Sequence, residues 1–234
     1  MNDLDGMKWG LSGRVQRLPP RLVLFAAGVA GCAALLLVRG WYAHGLRFRF
    51  LAWNLVLAVV PALAAAAMAR ADRRRQTVLV ALWGVVWLLF LPNAPYLITD
   101  LVHLQPRPPV PYWFDIGIFA AFAGAGVLAA FSSFGDVQRV ASRRFGRWAG
   151  WAVVGMASFA AGFGIELGRM GRWNSWDVLT QPGDLLREVL ARVVDPWAHP
   201  RAFAVAMLYG SVLLFGYVAV RVLVSERGRG ASEA

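Results

Sequence analysis

The chain has 234 residues, of which 59% are hydrophobic and 16% are charged, and its mean hydropathy is +0.53. Soluble domains carry about 25% charged residues, so this composition excludes most soluble enzymes and disordered chains. A single cysteine, Cys32, excludes an internal disulfide framework and a cysteine-based zinc cluster. The net charge of +11 comes from arginines spread between apolar stretches, and this distribution does not indicate nucleic-acid binding.

Six apolar stretches are each close to the roughly 20 residues that a helix needs to cross a bilayer. In chain order they cover residues 22–38, 50–69, 77–98, 116–134, 148–167 and 202–224. None alternates in polarity as the strands of a membrane barrel do. The sequence therefore predicts an all-α, polytopic membrane helical bundle. Its single transmembrane domain, 22–224, lies between an N-terminal segment, 1–21, and a C-terminal tail, 225–234.

Positive charges predict the orientation of these helices, because Lys and Arg beside a transmembrane helix are retained in the cytoplasm. Of the 24 Lys and Arg residues, 15 lie in the N-terminal segment, the second and fourth connections and the C-terminal end. We therefore expect both termini in the cytoplasm and the first, third and fifth connections outside. The expected location is the bacterial cytoplasmic (inner) membrane, with membrane lipids as partners.

The segment 29–32, Val-Ala-Gly-Cys, resembles a bacterial lipoprotein cleavage site, so lipidation of Cys32 is one alternative. Apolar sequence continues without interruption to residue 38. That continuation favours a transmembrane helix over the start of a mature lipoprotein.

The third apolar stretch is interrupted by two prolines. Its first part, 77–91, gives about 22 Å of helix, which is shorter than the roughly 30 Å hydrocarbon core. Pro92 lacks a backbone donor and Pro95 disfavours a helical Ala94, so the pattern predicts a break with a second helix beginning at Pro95. Asn93 can offer its side chain to the backbone groups that the break frees. Such groups are tolerated at membrane depth only where they face protein or a water-filled cavity.

Four polar residues share one face of this second helix by their spacing of three and four residues: Tyr96, Thr99, Asp100 and His103. A carboxylate near an imidazole suits a general base, here one acting on a lipid-linked substrate. The same pair could bind a ligand, or could simply meet water at the membrane interface. Two ligands do not complete a metal site, so no metal and no cofactor is predicted.

A second polar cluster begins where the fifth apolar stretch ends. Glu166 is costly at that depth, and we expect Arg169 to pair with it because the two are three residues apart. Arg169 and Arg172 both lie on the predicted outer side, against the charge rule, which makes anion binding a hypothesis.

The rest of this cluster combines aromatic and polar side chains. Trp173 and Trp176 fit an aromatic belt at the membrane interface. Asn174, Ser175 and Asp177 are typical of the cap and first turn of a helix.

Topology predicts that the two clusters lie on the same side of the membrane. If they converge, they line one outward-facing polar pocket for a small molecule or a lipid headgroup. Its candidate ligand-binding residues are Asn93, Tyr96, Thr99, Asp100, His103, Glu166, Arg169, Arg172, Asn174 and Asp177.

Two further patterns predict a short interfacial helix and a close helix–helix contact. Residues 185–195 are too few to span and read as an interfacial helix capped by Asp184, with one apolar stripe and an opposite polar face. The stripe comprises Leu185, Leu186, Val189, Leu190, Val193 and Val194, and the polar face comprises Arg187, Glu188 and Arg192. Gly164 and Gly168, extended by Ala160, predict close helix–helix association, and Ala120, Gly124 and Leu128 do so less strongly.

Two runs of sequence also carry a family resemblance. The first is Leu-Pro-Asn-Ala-Pro-Tyr at 91–96, followed by Thr99, Asp100, Leu101 and His103, and the second is Arg-Trp-Asn-Ser-Trp-Asp at 172–177. Together they resemble the bacterial integral membrane family catalogued as domain of unknown function 1361. The resemblance covers roughly the second to the sixth apolar stretch and implies a multi-pass bacterial membrane protein. It implies no activity, cofactor or catalytic residue.

Three functions remain open on this basis. The first is an outward-facing site that binds a small molecule or lipid headgroup. The second is an enzyme that acts on a lipid-linked substrate through Asp100 and His103. The third is a structural scaffold or partner subunit, in which the motifs only shape helix breaks and caps.

Overall fold

The computed structural model describes residues 20–45 and 47–230, which form nine α-helices and one 3-10 turn and no β-strand. The helices are α1 (Pro20–Tyr42), α2 (Arg49–Arg73), α3 (Thr77–Phe90), α4 (Asn93–Thr99), α5 (Tyr112–Phe145), α6 (Arg147–Arg169), α7 (Asp177–Thr180), α8 (Pro182–Val194) and α9 (Pro200–Gly230). The 3-10 turn, Asp100–His103, follows α4 directly. This architecture confirms the predicted all-α fold.

Six helical segments are long and apolar enough to cross a membrane, as the sequence predicts. They are α1, α2, the unit Thr77–His103 that joins α3, α4 and the 3-10 turn, α5, α6 and α9. The short helices α7 and α8 occupy the connection between α6 and α9. Residues 1–19 of the predicted N-terminal segment and residues 231–234 of the tail lie outside the described residues.

Helix α5 is the centre of the bundle, because it packs against α1, α2, α4 and α6. Its buried side chains include Ile118, Phe119, Phe122 and Phe134. Near its start, Asp115 forms a bidentate ion pair with Arg39 of α1, at 2.7 and 3.1 Å, and both side chains are buried. This pair fixes α1 to the bundle. Cys32 is also buried, in the middle of α1.

The bundle has two ends of different character. We call the end that holds residues 43–45, 47–48, 100–111 and 170–199 the α8 end. At the opposite end, Asp72 of α2 forms ion pairs with Arg143 and Arg144 of α5, at 2.8 and 2.7 Å. Nearby, Tyr217 of α9 donates a 2.7 Å hydrogen bond to Gln138 of α5.

The interruption of the third apolar stretch is milder than the prolines predict. Leu91 and Pro92 keep helical backbone angles, and α4 begins at Asn93 instead of at the predicted Pro95, so Ala94 is helical. The Asn93 side chain donates a 3.0 Å hydrogen bond to the Phe90 carbonyl, which confirms that it satisfies a freed backbone group. The third stretch therefore continues as one bent unit as far as His103.

Glycines on two helices explain why this bent unit stays helical. A methyl group at Gly164 of α6 would overlap the Pro92 ring, and one at Gly126 of α5 would overlap the Ala94 carbonyl. Gly168 lies beside the Tyr96 ring. Close packing on both sides thus holds α4 in place, and the predicted Gly164–Gly168 contact is made within this chain. Gly124 faces open space. The weaker prediction, a close helix–helix contact through Ala120, Gly124 and Leu128 of α5, is therefore wrong within the described residues.

Candidate functional site

A cavity of about 750 Å³ lies at the α8 end, between α2, α3, α4, α6 and α8. Most of its wall is apolar or aromatic. Polar side chains are concentrated where α4 and the 3-10 turn meet the segment after α6: Asn54, Asn93, Tyr96, Asp100, His103, Asn174 and Ser175. Ligand sites commonly combine a mostly apolar wall with a few convergent polar groups in this way.

Asp100 is the central polar residue of this wall. It is 1% exposed, and its carboxylate accepts a 2.8 Å hydrogen bond from the Asn54 side chain. Arg169 donates from the other side, at 3.4 Å, and also donates a 3.1 Å hydrogen bond to Thr99. The Arg169 guanidinium lies 5.6 Å from the centre of the Tyr96 ring, within cation–π range. Arg169 therefore supports Asp100 from behind the cavity wall.

His103 does not contact Asp100 through a direct hydrogen bond. Its Nε2 atom lies 3.4 Å from Arg169, and its ring packs edge-on against Phe50, with the ring centres 5.3 Å apart. In an acid–base pair the carboxylate hydrogen-bonds to the imidazole and fixes its tautomer. Here Arg169 lies between the two groups and contacts both.

The two motif segments meet at a short chain of hydrogen bonds. The Asn93 side chain donates to the Ser175 hydroxyl at 2.9 Å, and that hydroxyl donates to the Leu89 carbonyl at 2.9 Å. The structure therefore brings residues 93–103 into contact with the second cluster, 166–177, which the topology predicts only to lie on the same side of the membrane.

The segment after α6 is shaped by Asp177, the first residue of α7. Its carboxylate accepts hydrogen bonds from the Asn174 backbone at 2.7 Å and from the Thr180 hydroxyl at 3.1 Å. Asp177 is thus the predicted first-turn acid, but Trp176 stands at the cap position in place of Asn174 or Ser175. The Trp173 ring joins the cavity wall, whereas Trp176 packs against Trp53, 6.3 Å between ring centres.

The expected pairing of Glu166 with Arg169 is wrong. Glu166 instead accepts a 2.9 Å hydrogen bond from Arg192 of α8, and both side chains are buried. Arg192 also pairs with Glu188 at 2.8 Å. Burial alone would lower the pKa of Arg192, but hydrogen bonds and charges from Glu188 and Glu166 outweigh it and raise the pKa above its ordinary value. This buried pair anchors α8 over the cavity.

The structure corrects two predictions about the interfacial helix. Arg192 belongs to the inner face of α8, together with Leu185 and Val189, which line the cavity. The rest of the predicted apolar stripe is exposed: Leu186, Leu190, Val193 and Val194. Asp184 does not cap the helix, because α8 begins at Pro182 and the Asp184 carboxylate pairs with Arg187 at 3.4 Å.

Half of the ten candidate ligand-binding residues line the cavity: Asn93, Tyr96, Asp100, His103 and Asn174. Thr99, Arg169, Asp177 and Glu166 lie behind the wall and orient groups or elements that form it. Arg172 is exposed, has a positive φ of 58°, and forms no hydrogen bond or ion pair with the described residues. Whether any of the ten binds a ligand stays a prediction.

Sequence reasoning missed the contribution of α2 to this wall, namely Phe50, Trp53, Asn54 and Leu57. One signal was present, because Asn54 is the one strongly polar residue in the apolar stretch 50–69. An amide at membrane depth usually faces a partner or a cavity. Arg192 gave no such signal, because its partner Glu166 is 26 residues away.

Among the described residues, no three His, Cys, Asp or Glu side chains come close enough together to hold a metal ion. The cavity wall therefore offers hydrogen-bonding groups and apolar surface. Those are the means by which it can recognise a ligand.

Six long apolar helical segments, three of which line a cavity with one polar end, define a polytopic membrane protein of the helical-bundle class. The chain belongs to the family described as Protein of unknown function (DUF1361), whose family model matches residues 53–215. That range includes both motif runs and every residue of the cavity wall except Phe50. No curated protein and no solved structure matches the chain.

Proposed function

We propose that this protein binds a small molecule or a lipid headgroup in the cavity at the α8 end. The observation that carries the proposal is the cavity itself, about 750 Å³ with hydrogen-bonding groups gathered at one end. Ligand sites are commonly clefts of about 300–1,000 Å³ with a mostly apolar wall and a few polar groups. A scaffold would have no need for a space of this size lined by both motif segments.

The contacts favour binding over acid–base catalysis by Asp100 and His103. Asp100 is engaged by Asn54 and Arg169, and the imidazole contacts Arg169 instead of the carboxylate. A carboxylate held in this way can orient a ligand, whereas a carboxylate–histidine general base needs a hydrogen bond between its two groups.

We further propose that the α8 end faces the outside of the bacterial cytoplasmic membrane and that both termini are cytoplasmic. The excess of Lys and Arg on the connections of the opposite end supports this orientation. Three arginines that oppose the rule, Arg39, Arg169 and Arg192, are paired with buried carboxylates. Their retention at the α8 end thus has a structural reason.

Cysteine labelling tests the orientation. In a Cys32→Ser background, Leu179→Cys puts a thiol at an 84% exposed position of the α8 end, and Arg74→Cys puts one at the opposite end. A membrane-impermeant maleimide applied to intact spheroplasts should label position 179, and should label position 74 only after lysis. The reverse pattern would overturn the orientation.

Native mass spectrometry of the protein purified in mild detergent tests the binding proposal. We expect the wild type to carry a bound small molecule or lipid that Asp100→Asn loses, because the substitution removes the charge at the centre of the polar wall. Asp72→Asn is the matched control, since Asp72 is also paired with arginines but lies at the opposite end. A wild type without any bound species, or equal loss in both variants, would contradict the proposal.

A further inference from the structure

The cavity has a polar part and a deeper apolar part. Helix α6 contributes wall residues from Gly168 back to Ala160, which spans about 12 Å along the helix axis. Around that deeper end the wall consists of Leu57, Leu88 and Phe163. An occupant that fills the whole space must therefore join a polar group to an apolar segment of this length.

The apolar part also lies between helices that do not pack on each other. Helix α3 packs on α2, and α6 packs on α5 and α9, but α3 and α6 form no substantial contact. Both line the cavity, and Leu88 of α3 is 47% exposed. An alkyl chain can therefore extend from the cavity between α3 and α6 into the surrounding lipid.

The polar part holds few groups that bind anions. No Lys or Arg of the described residues belongs to the cavity wall, where His103 is the basic side chain, and the carboxylate on the wall, Asp100, is paired with Arg169 behind it. Phosphate and sulfate are ordinarily held by Arg, by Lys or by the start of a long helix. A phosphate here would face a carboxylate without an Arg or Lys on the wall to balance it.

The hydrogen-bonding groups on the wall suit a ligand that both donates and accepts. The Asn54 and Asn93 side chains use their amide nitrogen atoms in donated hydrogen bonds, and their oxygen atoms accept none from the described residues. The Tyr96 hydroxyl and the Trp173 indole donate to no acceptor among the described residues. A hydroxyl group can satisfy either kind of partner, whereas an ionised phosphate can only accept.

We propose that the cavity binds a lipid with an uncharged, hydroxyl-rich headgroup, a glycosyl lipid being the class that fits. This inference rests on the proposed binding function and names its ligand class. The headgroup hydroxyls lie among Asn54, Asn93, Asp100 and Trp173, and the aromatic faces of the wall pack against the apolar face of a sugar ring. The alkyl chain lies along α6 toward Ala160 and leaves between α3 and α6.

A competition experiment tests the ligand class. The protein, in an amine-oxide detergent that contains no sugar, is mixed with equal amounts of glucosyl dioleoylglycerol and dioleoyl phosphatidylglycerol, and native mass spectrometry counts each bound lipid. We expect the glucosyl lipid to be preferred at least about tenfold, because the phosphodiester of phosphatidylglycerol carries a charge that meets no Lys or Arg on the described wall, and a buried charge without a partner is costly. Equal binding, or a preference for the anionic lipid, would overturn the inference.

A cavity-filling variant shows whether the lipid occupies this cavity. Ala160→Phe puts a ring into the deeper wall and should lower glucosyl lipid binding at least about tenfold. Ala152→Phe is the matched control, because Ala152 is an exposed alanine on the same helix away from the cavity. Loss of bound phosphatidylglycerol in Ala160→Phe alone would overturn the glycosyl lipid and leave the binding function standing. Lipid binding that Ala160→Phe does not change would overturn both.

Discussion

Two buried aspartates at the α8 end show how the same residue type is used in two ways. Asp115 is fully buried and forms a bidentate pair with Arg39, which itself stacks on Phe48 at 3.9 Å. Asp100 is almost as buried, but its Arg169 contact is a single one of 3.4 Å, and its carboxylate lines a cavity. The first region is closed around its charge, and the second is open beside it.

The difference lies in what the neighbouring side chains leave unfilled. Around Asp115, Phe48 packs against Phe119 with the ring centres 5.0 Å apart, and the cavity beside Arg39 has a volume of about 30 Å³, against about 750 Å³ beside Asp100. Around Asp100, Asn54 and Asn93 leave their amide oxygen atoms pointing to accessible space. A completed pair stabilises a fold, whereas a paired charge beside a cavity leaves neighbouring hydrogen-bonding groups open, as the proposed ligand requires.

The largest expected effect comes from breaking the ion pair between Asp115 and Arg39. Asp115→Asn leaves the Arg39 charge buried without a counterion, and breaking such a pair costs about 3–5 kcal/mol. We expect a large fall in the unfolding temperature measured in detergent. Asp100→Asn should lower it much less, because Arg169 keeps its contacts with Thr99, His103 and Tyr96.

A double variant controls this experiment. Replacing both partners, as Arg39→Met with Asp115→Leu, removes the unpaired charge and should recover most of the lost stability. Equal destabilisation by Asp115→Asn and Asp100→Asn would show that the two regions do not differ in the way proposed.

A smaller effect is expected at the packing that holds α4 beside the open region. Gly164→Ala places a methyl group against the Pro92 ring, and such overpacking costs about 1–3 kcal/mol. Because α4 carries the polar wall, we also expect weaker retention of the bound species in native mass spectra. Gly155→Ala, on the same helix with open space around it, should leave stability unchanged or raise it by up to about 1 kcal/mol. If Gly164→Ala changes neither the stability nor the bound species, α4 can shift away from α6 without loss of stability.

The positions of the helices could be predicted from the sequence because length and hydropathy are local properties. Six apolar stretches and the interfacial helix follow from them directly. The start of α4 could not be predicted, since Pro95 alone favours a break, and the close packing at Gly126 and Gly164 holds the segment helical.

The ion-pair partners within the site were harder to predict, because they too depend on packing between helices. Glu166 has a plausible neighbour at Arg169, but the fold brings Arg192 closer, and Arg169 is then left for Asp100. Such choices depend on how helices face one another, which spacing along one helix does not determine. The order of the membrane crossings predicts that residues 93–103 and 166–177 lie on the same side, but their contact through Asn93 and Ser175 depends on how the helices pack.

The smallest expected effect tests whether only substitutions in the cavity wall change the binding of the ligand. Arg172 belongs to the second motif run and lies at the α8 end, but it is exposed and makes no ion pair with the described residues. Arg172→Gln should change the free energy of unfolding by less than about 0.5 kcal/mol and leave the bound species in place. Arg172→Gly should instead stabilise the protein, by about 1 kcal/mol, because glycine adopts the positive φ of 58° without strain. If Arg172→Gln releases the bound species, then the ligand extends beyond the wall to this arginine and carries an anionic group there.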